Sequence, residues 1–113
     1  NITEQFWLQQ LKNEDTKTSN GESQKEVRNR MLKGIKKVLE NIKDNESAVI
    51  VSHASAITFL LMNWCELINA TLEGKKRHLK YKSKTIINDS FKTPEIFKLT
   101  FKTNKEIVDI CRI

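Results

Sequence analysis

The sequence predicts an α/β layered protein, and three observations predict it. Residues 23 to 42 carry a capped, amphipathic helical pattern. Ala48 to Ser52 is a short β-branched run that passes straight into a second helical pattern. Residues 96 to 113 alternate as two strands about a turn. Helix, strand, helix and then strands is the order expected of packed α/β layers.

The elements follow in chain order. Residues 2 to 12 fit a short helix with Ile2, Phe6 and Leu8 or Leu11 turned inward. The polar stretch after it ends in Asn20-Gly21, a turn signal. Ser23, with Glu26 three residues later, is a capping box that starts a long helix. Behind it Val27, Met31, Ile35, Val38, Leu39 and Ile42 recur at helical spacing, and the pattern should stop near Asp44-Asn45. Ala48-Val49-Ile50-Val51-Ser52, bounded by polar residues, reads as a buried central strand.

Ala54 to Ile68 is apolar nearly all round and reads as a mostly buried helix. It is interrupted by Ser55, Thr58, Asn63 and Glu66 and is shorter than the roughly 20 residues of a membrane span, so no membrane partner is expected. Residues 69 to 93 read as polar and basic, with Thr85-Ile86-Ile87 as a short strand. Ile96, Phe97, Leu99 and Phe101 form one strand, Thr103-Asn104-Lys105 a turn and Ile107 to Ile113 a second strand, a C-terminal β-hairpin.

Composition narrows the function. A chain of 113 residues suits a single domain, and 38% hydrophobic with 30% charged residues is a globular mixture. The net charge of +6 has one address. Lys75, Lys76, Arg77, Lys80, Lys82 and Lys84 stand together without an acid, and the rest of the chain sums to zero. A uniformly basic nucleic-acid binder is patterned otherwise. This stretch reads first as a solvated loop, with attraction of an anionic substrate or partner as further readings. Its single aromatic, Tyr81, gives no interleaved stacking pattern, so nucleic acid is not the expected partner. Cys65 and Cys111 are far apart and belong to no metal-ligand cluster, so both are expected reduced, in the cytoplasm. The chain starts at Asn1 rather than Met and shows no secretory leader, which reads as a processed or excised piece.

The chemistry concentrates at Ser52-His53. An apolar strand would deliver this pair to its carboxyl end, just where a helix begins. Ligands of open α/β sheets bind beyond the carboxyl ends of the strands, and a helix start offers free N–H groups to an anion. A histidine there can give a proton or a hydrogen bond to a phosphoryl oxygen. The same residue also serves as a plain helix cap, and spacing alone leaves both readings open. Trp7, Phe59 and Trp64 read as packing residues rather than a substrate platform.

Gly21-Glu22-Ser23, then Glu26-Val27 and Arg30, then Val49-Ile50-Val51-Ser52-His53 with its apolar helix resemble the second half of the histidine phosphatase superfamily, phosphoglycerate-mutase-like branch. The resemblance runs on through Thr93-Pro94-Glu95-Ile96-Phe97-Lys98-Leu99 and covers residues 20 to 113. It implies a three-layer α/β/α sandwich with a central sheet, of which this chain is the C-terminal portion. It also implies a pocket in which one histidine, in an R-H-G motif, becomes phosphohistidine while a second, in an S-H-G motif, stabilises the transferring phosphoryl group. His53 matches the second histidine. The implied phosphate contacts are His53 and the backbone of Ala54 and Ser55, with Glu22 at the pocket rim and Arg30 in a structural pairing. The implied substrate is a phosphorylated small molecule, and the implied chemistry needs no metal and no cofactor, which fits the lack of metal-ligand spacing.

The departures carry as much weight. The other histidine, His78, stands in Arg77-His78-Leu79, after His53 and without the Gly of R-H-G. It reads as a solvated loop residue, not a nucleophile. The first strand, the R-H-G loop and the catalytic acid are expected upstream of Asn1, in a parent of about 190 to 210 residues. Alone, the chain is expected to be inactive and to self-associate through exposed sheet edges. Ala54 stands where the family has Gly, which matters if φ there must be positive. A non-catalytic truncated pseudoenzyme or interaction module is the alternative.

Overall fold

The computed structural model describes residues 2–92 and 95–113. Thr93 and Pro94, part of the stretch that carries the resemblance, lie outside the described residues, as does the side chain of Ile2. Helices α1 (Ile2–Lys12), α2 (Gln24–Asn41) and α3 (Ala54–Leu61) come first. Strands β1 (Glu66–Thr71), β2 (Lys76–Tyr81) and β3 (Lys84–Asp89) form an antiparallel meander, and β4 (Phe97–Phe101) pairs with β5 (Ile107–Arg112) as a hairpin. The fold is mixed α/β, as in part of an α/β sandwich, and ends in the expected C-terminal hairpin.

Local chemistry explains where the helices start. Ser23 Oγ accepts from the Glu26 amide at 3.1 Å and the Glu26 carboxylate accepts from the Ser23 amide at 3.1 Å, completing the capping box. α1 buries Trp7 and Leu11, one turn apart. Its last carbonyls are closed by α2: the buried Gln24 Nε2 donates to Gln10 O at 2.9 Å and to Leu11 O at 2.8 Å. α2 ends at Asn41, short of Asp44-Asn45, and Asn41 Nδ2 turns back onto the Lys37 carbonyl. Asn45, at φ 71°, then makes the turn in the left-handed region.

α3 ends at Leu61 rather than at Ile68. Asn63 Nδ2 takes the Leu60 carbonyl at 2.9 Å and reaches the Arg28 carbonyl of α2 at 3.3 Å, which closes the helix. The remaining run becomes β1, because Leu67 and Ala70 can then face the core. A short apolar run does not distinguish a helix from a strand by periodicity.

The basic stretch is a correction of kind. Residues 76–89 form β2 and β3 around the two-residue turn Lys82-Ser83, not a solvated loop. The Thr85-Ile86-Ile87 strand holds, as the middle of β3. Arg77, Leu79 and Tyr81 alternate inward while Lys76, His78 and Lys80 are more exposed.

The largest correction concerns Ala48–Ser52. It is neither a strand nor buried: Val49 is 91% exposed, Ile50 47% and Val51 91%. β propensity reflects packing on a pleated surface between partners, and among the described residues no strand lies beside this run.

Two cores meet at α3. Trp7, Leu11, Val27, Ala56, Phe59 and Ala70 join the helices to β1. Leu61, Leu79, Ile86, Ile87 and Ile110 join α3 to both sheets. Met62 and Leu67 touch both clusters. Trp64 packs edge-on to Phe101 at 6.0 Å, so Trp7, Phe59 and Trp64 are packing residues as expected.

Candidate functional site

His53 is the residue just before α3, in extended backbone at φ −119° and ψ 166°. Its carbonyl accepts from the Ile57 amide at 2.9 Å, the first bond of the helix. Its side chain is exposed and makes no capping bond. The contrast with α2 is informative, since there Ser23 and Glu26 occupy the helix start. At α3 the free N–H groups of the first turn, including those of Ala54 and Ser55, are left to whatever approaches.

Ala54 is the first helical residue. Among the described residues the non-glycine positions with positive φ are Asn45, Lys75, Lys82 and Lys105, and Ala54 is not one of them. An alanine in place of glycine therefore brings no backbone strain here.

Glu22 and Arg30 form a two-pronged ion pair, Nε to Oε2 at 3.0 Å and Nη2 to Oε1 at 2.9 Å, on the exposed side of the α2 start. The pairing raises the Arg30 pKa, chiefly through the Glu22 hydrogen bond. Arg28 pairs instead with Glu14 at 2.9 Å.

The structure does not bring the two histidines together. α3 packs on the sheet face that holds Ala70, Leu79 and Ile87. His78 alternates with Arg77 and Leu79 and so faces the other way, with Nε2 3.4 Å from Thr85 Oγ1. It stands in register with Asn69 of β1 and Asn88 of β3, beside a shallow cavity of about 120 Å³ that His53 does not line. Among the described residues no group of three or more His, Cys, Asp or Glu side chains gathers to hold a metal ion. Cys65 and Cys111 are free, and burial pushes the Cys65 thiol up to about 11.

Sequence reasoning missed Arg77 as anything but one of the basic run. It is 3% exposed. Its Nη1 donates to Thr58 Oγ1 at 2.7 Å and its Nη2 to the Lys75 carbonyl at 2.9 Å, while Nε has no partner among the described residues. Burial pushes the guanidinium down to about 10, against the pull of Asp89. The signal was present: Arg77, Leu79 and Tyr81 stand at strand period within the charged run.

Among the described residues no helix is long and apolar enough to cross a membrane. No curated protein and no solved structure matches the chain. The family model described as histidine phosphatase superfamily (branch 1) matches residues 2–97. The match takes in α1, which the sequence resemblance left out, and stops at Phe97, the first residue of β4. It covers well over half of the chain, and the chain therefore belongs to the histidine phosphatase superfamily.

Proposed function

We propose that this chain supplies the second-histidine half of the phosphate pocket of a phosphohydrolase or phosphomutase that works through phosphohistidine. The observation that carries the reading is His53 itself: an exposed histidine at an uncapped helix start, preceded by an apolar run with no partner strand among the described residues. A ring N–H of His53 donates to an oxygen of the transferring phosphoryl group. The Ala54 and Ser55 amides offer further donors to the same anion. Glu22 stands at the rim. The substrate class is a phosphorylated small molecule, and the chemistry calls for neither metal nor cofactor.

The attacking histidine comes, on this reading, from polypeptide outside these 113 residues, because His78 faces the opposite side of the sheet. A strand from that polypeptide would pair with Ala48–Ser52 and bury Val49 and Val51. A cytoplasmic setting accords with the two free thiols. A second reading, a non-catalytic module, is favoured by the separation of the two histidines.

One assay separates them. The isolated chain should not hydrolyse p-nitrophenyl phosphate. The protein extended through the upstream coding region should, and His53→Ala should lower kcat by about 10²-fold or more, as for loss of one transition-state donor. Unchanged turnover in His53→Ala overturns the assignment, and no activity in the extended protein favours the module.

A further inference from the structure

Arg77 is a charged residue buried to 3% exposure, and the phosphate chemistry above makes no use of it. A buried guanidinium is costly unless it is paired or fully hydrogen-bonded. Arg77 is neither. No described carboxylate comes within ion-pair distance, since Asp89 is taken by Arg112 at 3.0 Å, and Nε has no partner among the described residues. Trp7 and Phe91 lie against the guanidinium, with ring centroids 5.0 Å and 4.5 Å from its carbon. These contacts recover part of the cost. A Leu or Met would fill the same space without it, so the two donor bonds deserve a specific account.

One of them leads to His53. Arginine only donates, so the Thr58 hydroxyl oxygen must accept from Nη1 and its own proton is free for another acceptor. That acceptor is the Ala54 carbonyl, 2.8 Å away. The chain of bonds runs from Arg77 to Thr58 to Ala54, the residue after His53, and each bond polarises the next. A threonine hydroxyl that bonds back four residues also tends to bend the helix that carries it. The start of α3 has no side-chain cap to fix its direction. Its first turn is instead gripped from inside the core.

We infer that Arg77 is a positioning residue for His53, acting through Thr58 to hold the Ala54 carbonyl and set the direction of the first turn of α3. The inference rests on the reading of His53 as the phosphate-pocket histidine. It assigns a task to a buried cation and predicts a local effect, distinct from a general loss of stability.

The test uses three variants of the chain: Thr58→Val removes the hydroxyl and keeps the shape, Thr58→Ser keeps the hydroxyl, and Arg77→Met keeps an apolar stem without donors. Amide spectra and hydrogen exchange are read at residues 54–57 and, for comparison, at Leu79 and Ile87. Thr58→Val and Arg77→Met should shift the Ala54–Ile57 amides and the His53 ring protons. They should also speed exchange at Ile57 about tenfold more than at Leu79 and Ile87, as local opening does. Thr58→Ser should behave as the parent. Equal acceleration at all sites, or unmoved His53 signals in Thr58→Val, overturns the inference, and Thr58→Val decides it even if Arg77→Met does not fold. An active His53→Ala enzyme would overturn the proposed function while leaving this local coupling intact, so the two failures are distinguishable.

Discussion

Arg112 holds Glu95 with two parallel bonds, Nε to Oε1 at 2.6 Å and Nη2 to Oε2 at 2.8 Å, and adds Asp89 of β3 through Nη1 at 3.0 Å. This fork ties β5 to the segment before β4 and to the end of β3. The Glu95 side chain is only 8% exposed. Arg112→Ala would leave that carboxylate covered and unpaired, and should cost about 2 kcal/mol in urea unfolding. Arg112→Lys should recover less than half of the loss, because a lysine has no fork.

The same pair sets a pH dependence. The Arg112 hydrogen bonds first, and the Lys92 amide after burial is counted, hold the Glu95 carboxyl below the usual glutamate value of 4.5. A carboxyl whose pKa is lower when folded adds stability above its unfolded pKa and loses it as pH falls through the folded one. The urea midpoint of the parent should therefore fall as the solution is acidified below about pH 5, and that of Glu95→Gln should fall less. Parallel curves for the two proteins would contradict the assignment.

At the other end of the chain, Ser23→Ala should destabilise by about 1 kcal/mol and Ser23→Thr by less. The loss should appear as reduced helical circular dichroism in the thermal melt. Glu26 is tied into the same box and also to Lys17 at 3.1 Å, so Glu26→Ala should add to the loss less than a separate site would.

This capping box was legible because it is written within four residues. The hairpin was legible for the same reason, with Asn104 Oδ1 accepting from the Glu106 amide at 3.1 Å in the expected turn. The central strand was misjudged because a strand is a relation between two segments, and Val49–Val51 has the composition without the partner. The β2–β3 pair was hidden because six charges in ten residues masked the inward row of Arg77, Leu79 and Tyr81. The start of α3 just after His53 was readable from the sequence and its end at Leu61 was not, while the Arg77–Thr58 bond joins residues nineteen apart and has no local signature.

In the core, Leu79 is fully buried between Leu61, Ile87 and Ile110. Leu79→Ala should cost about 3 kcal/mol, the usual range for a cavity of this kind. Calorimetry should show one transition for parent and variant, since Met62 and Leu67 belong to both clusters.

We also propose that the isolated chain self-associates through the Ala48–Ser52 run, which carries no charge and exposes unpaired backbone. Val49→Lys with Val51→Lys should change folding stability by no more than about 0.5 kcal/mol per site, because both side chains are already in water. Light scattering should show the parent growing in mass with concentration and the double variant staying monomeric. A clean parent monomer at millimolar concentration would refute the proposal.

Endoproteases take their substrates as extended, unpaired strands. Val49–Val51 is exposed and lies in no helix or strand, between one piece that holds α1 and α2 and another that holds α3 and the strands of the described residues. An elastase-like enzyme should cut there before anywhere else. A strand paired with this run, as proposed above, would shield it from cleavage as well as complete the sheet.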